Sequence, residues 1–287
     1  MMQSARPGQV GTSEPAERLS KRADRAKRAK TAKRAGQRTT VASDDFRESF
    51  SAKFSEMVLI NFEADERLLK KIVPRGLEPD LYQGHAHISL VAKTVKNMKW
   101  KGFQLGTPRP FCSFGLQLHV KEPVEGGYRY GTYFLKHYVQ RSYPAWIVKR
   151  LTKVPIEKMT MKSKTKKAPA NRPPDIEYQW KLGDKWNDIR IRGRSKVKDI
   201  RSGSKVDFVF RHADRYVVDE QGVWRSELRT PGWVIWDVAQ AKFDCDVKEL
   251  FGEEFVKSMS RRPASVFLSR GNEVSLSRPE LVVPTDS

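Results

Sequence analysis

The pattern of apolar and polar positions divides the chain near residue 45. Residues 46–285 contain repeated short stretches in which apolar and polar residues alternate, a pattern typical of half-buried β-strands. Residues 1–45 contain almost no large apolar residue and therefore offer no stripe for packing against a core. We predict one folded domain over 46–285 and a basic, disordered tail over 1–45.

Several segments predict particular strand pairs. The stretches FGLQLHVKE (114–122) and YRYGTYFLKHYVQ (128–140) predict a hairpin joined by PVEGG. IEYQWKL (176–182) and DIRIRGRSKVK (188–198) predict a second antiparallel pair. HAHISLVAKTVKNM (85–98) alternates as a further strand.

Helices are few in this pattern. DERLLKKIVP is a short one, which Asp65 can cap and which Pro74 ends. Eight or more strands with few helices predict an α+β, mainly β fold: an antiparallel open β-barrel or curled sheet with a few short helices.

Charge is concentrated in the tail. The chain has a net charge of +21, and residues 1–43 hold eleven Lys/Arg against three acids. Such a balance favours contact with nucleic acid or ribosomes, although a simply solvated tail is the alternative. The candidate nucleic-acid-binding residues are Arg25, Lys27, Arg28, Lys30, Lys33 and Arg34.

Other features narrow the class of protein. No run of about 18 apolar residues predicts a membrane span, and no apolar leader is visible. Cys112 and Cys245 are too few and too far apart for a disulfide framework. The sequence has no phosphate-binding loop, dinucleotide fingerprint or CxxC pair. We expect a cytoplasmic protein with reduced thiols, no cofactor and no membrane contact.

Three clusters could bind a ligand. His85 and His87 have a spacing that can chelate a metal, but no third ligand lies at a recognisable spacing, so ordinary histidines are the alternative. Arg215 beside Tyr216 could hold a carboxylate or phosphate, or Arg215 could pair structurally with Asp214. Trp233 could stack on a flat ligand or fill the core.

A series of landmarks resembles the bacterial YqjF-like family, a domain of unknown function. They are VPRGLEPDLYQGHAHISLV (73–91), FCSFGLQLHV (111–120), RLTKVPIEKM (150–159), DRYVV (214–218) and RTPGW (229–233). That family is grouped with the acetoacetate decarboxylase-like fold. The resemblance therefore implies a β-barrel with a few helices over almost the whole folded part.

The resemblance also bears on chemistry. In acetoacetate decarboxylases, the segment similar to KVPIEK carries a lysine that forms a Schiff base with a keto acid; here Ile156 stands at that place and Glu157 follows it. A carboxylate of those enzymes is matched by Ser113. The resemblance implies that covalent keto-acid chemistry is absent, unless Lys158, two residues along the strand, reaches the barrel interior.

Three hypotheses follow. The first is a non-catalytic barrel that binds a small apolar or carboxylate-bearing ligand. Its predicted ligand contacts are Ser113, Gln117, Arg215, Tyr216 and Trp233. The second is an enzyme of unknown reaction that uses Lys158 or the pair His85 and His87. The third is a polyanion-binding protein that acts through its basic tail.

Overall fold

Seven β-strands of the chain close into a barrel. The computed structural model describes residues 46–105, 109–140, 146, 149–166, 168, 172–198 and 200–285, without the side chains of 195 and 196. The predicted tail and its candidate nucleic-acid-binding residues lie outside the described residues. The described helices include none that is long and apolar enough to span a membrane.

The strands are numbered in chain order. They are β1 Glu48–Ala64, β2 Glu78–Pro79, β3 Leu81–Tyr82, β4 His85–Trp100, β5 Phe103–Gln104, β6 Phe111–Val124, β7 Gly127–Val139, β8 Ile156–Lys158, β9 Met161–Lys166, β10 Asp175–Leu182, β11 Lys185–Val197, β12 Asp214–Asp219, β13 Gly222–Arg229, β14 Ile235–Asp244, β15 Ser265–Ser269, β16 Glu273–Ser277 and β17 Glu280–Pro284. The helices that are described along their whole length are α1 Glu66–Ile72, α2 Lys205–Phe210, α3 Val247–Phe251 and α4 Glu253–Met259.

The barrel can be followed from strand to strand. Its order is β1, β4, β6, β7, β12, β13 and β16, and β16 pairs again with β1. Leu276 of β16 stands opposite both Phe50 of β1 and Leu228 of β13, so these three side chains mark the closing seam.

The predicted open, antiparallel barrel is wrong in two respects. The barrel is closed by the β1–β16 pairing, and it is mixed because β12 runs parallel to β7. A parallel pair requires a crossover connection, and here the chain between Val139 and Asp214 forms β8 to β11 and α2 before it returns. The prediction took neighbouring strands as hairpins and therefore missed the crossover.

The predicted local elements are confirmed. β6 and β7 form the expected hairpin, and β10 pairs antiparallel with β11. Helix α1 is capped as predicted, since the Asp65 side chain accepts a hydrogen bond from the backbone N–H of Arg67.

A second sheet covers the outside of the barrel. Its order is β15, β14, β11, β10 and β9, and it joins the barrel where β15 pairs with the second half of β1. Between the layers, the ring of Phe114 from β6 stacks on Trp180 from β10 at 4.6 Å and on Tyr138 from β7 at 5.0 Å. These rings are fully or almost fully buried, so outward-facing residues of the barrel form a core of their own.

Strand β1 serves both sheets because it is irregular at its middle. Glu56 has a φ of 52°, and the register against β4 shifts between Ser55 and Val58. Such a bulge bends a strand and increases its twist. The first half of β1 therefore closes the barrel against β16, and the second half pairs with β15.

Candidate ligand-binding cavity

The inward-facing residues of the barrel line a cavity of about 120 Å³. Alternate residues of each strand point inward, as in Val91, Lys93 and Val95 of β4. The described lining is mainly apolar: Phe50, Phe54, Met57, Leu59, Val91, Val95, Met98, Phe111, Phe134, Val139, Val154, Ile156, Val209, Phe210, Val217, Leu228, Trp233 and Leu276. No aspartate or glutamate is among the described residues that line the cavity. The cavity is thus mainly apolar, and its few polar side chains are the groups that can contact a polar ligand.

One polar group of the cavity comes from β4, β6 and β7. Lys93 stands directly opposite Ser113 in the β4–β6 pairing. Ser113 Oγ lies 2.7 Å from His137 Nε2. We call Lys93, Ser113 and His137 the amine group.

A second polar group comes from β7, β12 and β13. Arg215 stands opposite Thr132 on one side and opposite Ser226 on the other, and all three line the cavity together with Gln117. The Thr132 hydroxyl is buried and has no hydrogen-bond partner among the described residues. We call Arg215, Thr132, Ser226 and Gln117 the guanidinium group. Its donors and its unpaired hydroxyl suit an anionic ligand.

Lys93 is a buried amine. Its residue is 8% exposed, and its Nζ lies 4.8 Å from the centre of the Phe54 ring. Burial and, to a smaller extent, the nearby positive charge of Arg215 together lower the pKa of Lys93 from 10.5 to about 7. At neutral pH Lys93 is therefore present both as the ammonium and as the free, nucleophilic amine.

Arg215 keeps its charge in the same chamber. Burial lowers its pKa to about 10, against the opposing effect of Asp214, so the guanidinium stays protonated at neutral pH. Its Nη1 donates to the backbone carbonyls of His212 at 2.5 Å and Asp214 at 3.0 Å, which fixes its position. Neither Arg215 nor Lys93 forms a salt bridge with an acid among the described residues, so Asp214 acts on the partly buried Arg215 only through its charge.

The residues that precede Arg215 are held in place by Asp80. Arg211 Nη2 donates to Asp80 Oδ2 at 2.6 Å, and His212 Nε2 lies 3.2 Å from the same oxygen. Burial alone would raise the pKa of Asp80, but the hydrogen bonds and charges of His212 and Arg211 outweigh it and lower that pKa. His212 Nδ1 donates to the Phe208 carbonyl at 2.6 Å, so both of its ring nitrogens have protein partners.

His137 is held in one orientation. Its ring packs edge-on against Phe134 with centres 5.6 Å apart. Gly115, which pairs with His137 across β6 and β7, leaves room for it: a Cβ at Gly115 would lie 2.4 Å from the Lys136 carbonyl and 3.2 Å from His137 Nδ1. Burial, followed by the charge of Lys93, lowers the pKa of His137 well below its usual value, so the ring is neutral.

The structure brings together four of the five predicted ligand contacts. Ser113, Gln117, Arg215 and Trp233 all line the cavity. Tyr216 does not, because neighbouring residues of a strand point to opposite faces. Its ring packs against Gly131 on the outer face, and its hydroxyl donates to Glu122 Oε2 at 2.9 Å.

The candidate enzyme residues lie elsewhere. Lys158 is exposed at the end of β8 and is not part of the described cavity lining, whereas Ile156 of the same strand is. His85 is exposed, and His87 is buried with its Nδ1 2.9 Å from the His85 carbonyl. The described residues contain no cluster of three metal-ligating side chains around these two histidines.

The residue that sequence reasoning missed is Lys93. The resemblance directed attention to Ile156 and Lys158 alone, whereas β4 supplies an amine from another wall of the barrel. The signal was present in LVAKTV, where Lys93 shares a strand face with Val91 and Val95. Thr132 and His137 were missed as cavity residues as well.

Solved structures of similar fold are enzymes. MppR, an enduracididine biosynthesis enzyme complexed with the condensation product of pyruvate and imidazole 4-carboxaldehyde, matches with a TM-score of 0.59 and 13% identity, over 82% of this chain and 90% of that one. An acetoacetate decarboxylase matches with a TM-score of 0.58 and 14% identity, over 84% and 93%. An acetoacetate decarboxylase-like enzyme from Sphingomonas wittichii RW1 matches with a TM-score of 0.56 and 10% identity, over 83% and 95%. At these identities the likeness shows the acetoacetate decarboxylase-like fold.

Family membership follows from the sequence match. A comparison with curated proteins found no match. The DUF2071 family, described as an uncharacterized conserved protein, matches residues 51–273. This range spans most of the barrel and the whole of its amine and guanidinium groups, and the chain therefore belongs to the DUF2071 family.

Proposed function

We propose that the barrel binds a small oxo acid and forms a reversible imine with it. In this proposal Arg215 of the guanidinium group holds the carboxylate of the ligand, and Lys93 attacks its carbonyl carbon. The observation that carries the proposal is that two cations, the buried Lys93 and the partly buried Arg215, line one apolar cavity whose described lining contains no carboxylate.

The electrostatics support this division of roles. Only a free amine can attack a carbonyl group, and desolvation or a neighbouring cation is how a lysine becomes nucleophilic at neutral pH. Lys93 has both, since its pKa is lowered to about 7 first by burial and then by Arg215. Arg215 remains charged, so a single carboxylate on the ligand would neutralise the cavity.

Similar proteins suggest the probe. MppR has been solved as a complex with pyruvate, a small 2-oxo acid. Acetoacetate, a 3-oxo acid, is the second probe, because the similar structures include an acetoacetate decarboxylase. Both ligands are small enough to suit a cavity of about 120 Å³.

Reductive trapping tests the proposal. The protein is incubated with pyruvate or acetoacetate, reduced with borohydride and analysed by intact mass and peptide mapping. We expect one adduct per chain at Lys93, its loss in Lys93→Met, and its retention in Lys158→Met, which removes an exposed lysine of the same barrel.

Two results would overturn the imine. One is the absence of any adduct at Lys93 with either acid. The other is a yield at Lys93 no higher than at exposed lysines such as Lys158. Binding of pyruvate by calorimetry without an adduct would instead favour the non-catalytic, carboxylate-binding barrel.

A further inference from the structure

We infer that Ser113 and His137 form the proton-transfer pair for the Lys93 adduct. This inference rests on the proposed function, because it concerns the steps by which an imine forms at the same lysine. It assigns a catalytic role to Ser113 and His137, which line the same cavity as Lys93.

The strand pairing places Ser113 opposite Lys93 in the cavity wall. Ser113 and Lys93 face each other across β4 and β6 and both point into the cavity. Directly opposite residues of antiparallel strands have Cβ atoms about 5 Å apart, so the Ser113 hydroxyl is the polar group nearest to the base of the lysine side chain on that strand. The 2.7 Å contact with His137 Nε2 then connects the hydroxyl to a base.

Elimination leads to the same pair. Formation of an imine requires a group that accepts and returns protons, and carboxylates are absent from the described lining. His212 also lines the cavity, but its two ring nitrogens are occupied by Asp80 and by the Phe208 carbonyl. His137 is neutral, and in the tautomer that carries its hydrogen on Nδ1 its Nε2 faces the Ser113 hydroxyl as a proton acceptor.

The steps balance without any further reactant. His137 first accepts, through the Ser113 hydroxyl, one proton of the Lys93 ammonium, and the freed lone pair forms a bond to the carbonyl carbon while the C=O π electrons move to oxygen. A second proton then passes from nitrogen to that oxygen, which gives a carbinolamine. His137 finally returns its proton to the oxygen, the C–O bond breaks, water leaves, and the nitrogen lone pair forms the C=N bond. The iminium keeps the third proton of the ammonium.

The test separates rate from extent. Protein and pyruvate are mixed, samples are reduced with borohydride at set times, and the fraction of adduct at Lys93 is measured by mass. In His137→Gln we expect the rate of adduct formation to fall about 100-fold or more, the usual range for general acid–base catalysis, while the final yield is unchanged. Ser113→Ala should slow the rate in the same direction.

Two controls separate a catalytic role of His137 from a structural one. His85→Gln makes the same chemical change at an exposed histidine of β4 and should leave the rate unchanged. In His137→Ala, added imidazole should restore part of the rate, which a purely structural role for the ring would not allow. Thermal unfolding establishes that each variant is folded.

The outcomes distinguish the two proposals. If no adduct forms at Lys93 in the unaltered protein, both the proposed function and this inference are overturned. If His137→Gln and Ser113→Ala form the adduct at the unaltered rate, the proton-transfer role is wrong and the imine stands. A lower final yield with an unaltered rate would also refute the role, since it would indicate a contribution to binding only.

Discussion

Replacement of Lys93 by methionine should stabilise the ligand-free protein, and the gain should depend on pH. In the folded state the pKa of Lys93 is about 7, whereas an exposed lysine titrates at 10.5. Below pH 7 Lys93 is protonated in both the folded and the unfolded protein. The folded state then carries the full free-energy cost of the buried charge. Between pH 7 and 10.5 only the unfolded chain stays protonated, so stability rises with pH.

The magnitude follows from the two pKa values. Each tenfold change in proton affinity corresponds to about 1.4 kcal/mol, so the difference between about 7 and 10.5 amounts to about 5 kcal/mol. Methionine is unbranched, apolar and close to lysine in length, so it can fill the space beside Phe54 without a charge. Lys93→Met should therefore raise the free energy of unfolding by up to about 5 kcal/mol at pH 6, and by little at pH 10.5.

Urea unfolding of both proteins from pH 6 to 10.5 measures the effect. Titrating groups that do not sense the charge of Lys93 cancel in the difference between the two proteins, and Lys158→Met provides the matched exposed control. The reasoning is refuted if Lys93→Met is less stable at pH 6, or if its advantage does not shrink as the pH rises. A stabilising loss of the amine would also show that the charge is retained for function rather than for folding.

Four further changes test other parts of the structure. Arg215→Gln should raise the pyruvate concentration for half-maximal adduct about 30-fold, or about 2 kcal/mol, because it removes the charged partner of the carboxylate. Gly115→Ala should destabilise the fold by roughly 1–3 kcal/mol in urea unfolding, since its Cβ would meet the Lys136 carbonyl at 2.4 Å. Tyr216→Phe should lower the free energy of unfolding by about 1–2 kcal/mol, because it removes the hydrogen bond to Glu122. It should leave the adduct yield unchanged. Deletion of residues 1–45 should abolish retention on immobilised nucleic acid at moderate salt.

Each of these has an outcome that contradicts it. If the pyruvate dependence of adduct formation is unaltered in Arg215→Gln, the guanidinium group is not part of the binding site. A fully stable Gly115→Ala would mean that β7 shifts freely at His137. Loss of the adduct in Tyr216→Phe would indicate that Tyr216 does contact the ligand. Retention of the shortened protein on nucleic acid would refute the role of the tail.

Local structure was predictable because it depends on neighbours in sequence. The β6–β7 hairpin followed from alternation and a glycine-containing turn, and the start of α1 followed from the capping side chain of Asp65. Barrel closure was not predictable in this way. It depends on pairs such as Phe50 and Leu276, which no local pattern connects.

The sequence does not show which face of β4 points into the barrel, and for this reason Lys93 was overlooked. Alternation shows which residues share a face, but it identifies the inner face only when the outer one is polar. Here Leu90 and Ala92 on the other face are as buried as Val91 and Lys93, because the second sheet covers the barrel. By contrast, the strand period alone separates Arg215 from Tyr216, so their joint prediction as ligand contacts could have been avoided.

The seam between β1 and β16 has a consequence for biosynthesis. Ser49 and Leu276, which are hydrogen-bonded across it, are 227 residues apart in sequence. Until residues 273–277 have left the ribosome, the apolar inner wall remains an open, unpaired sheet that other chains can contact. Such distant pairings form slowly, so maturation of this barrel should depend strongly on chaperones and on growth temperature.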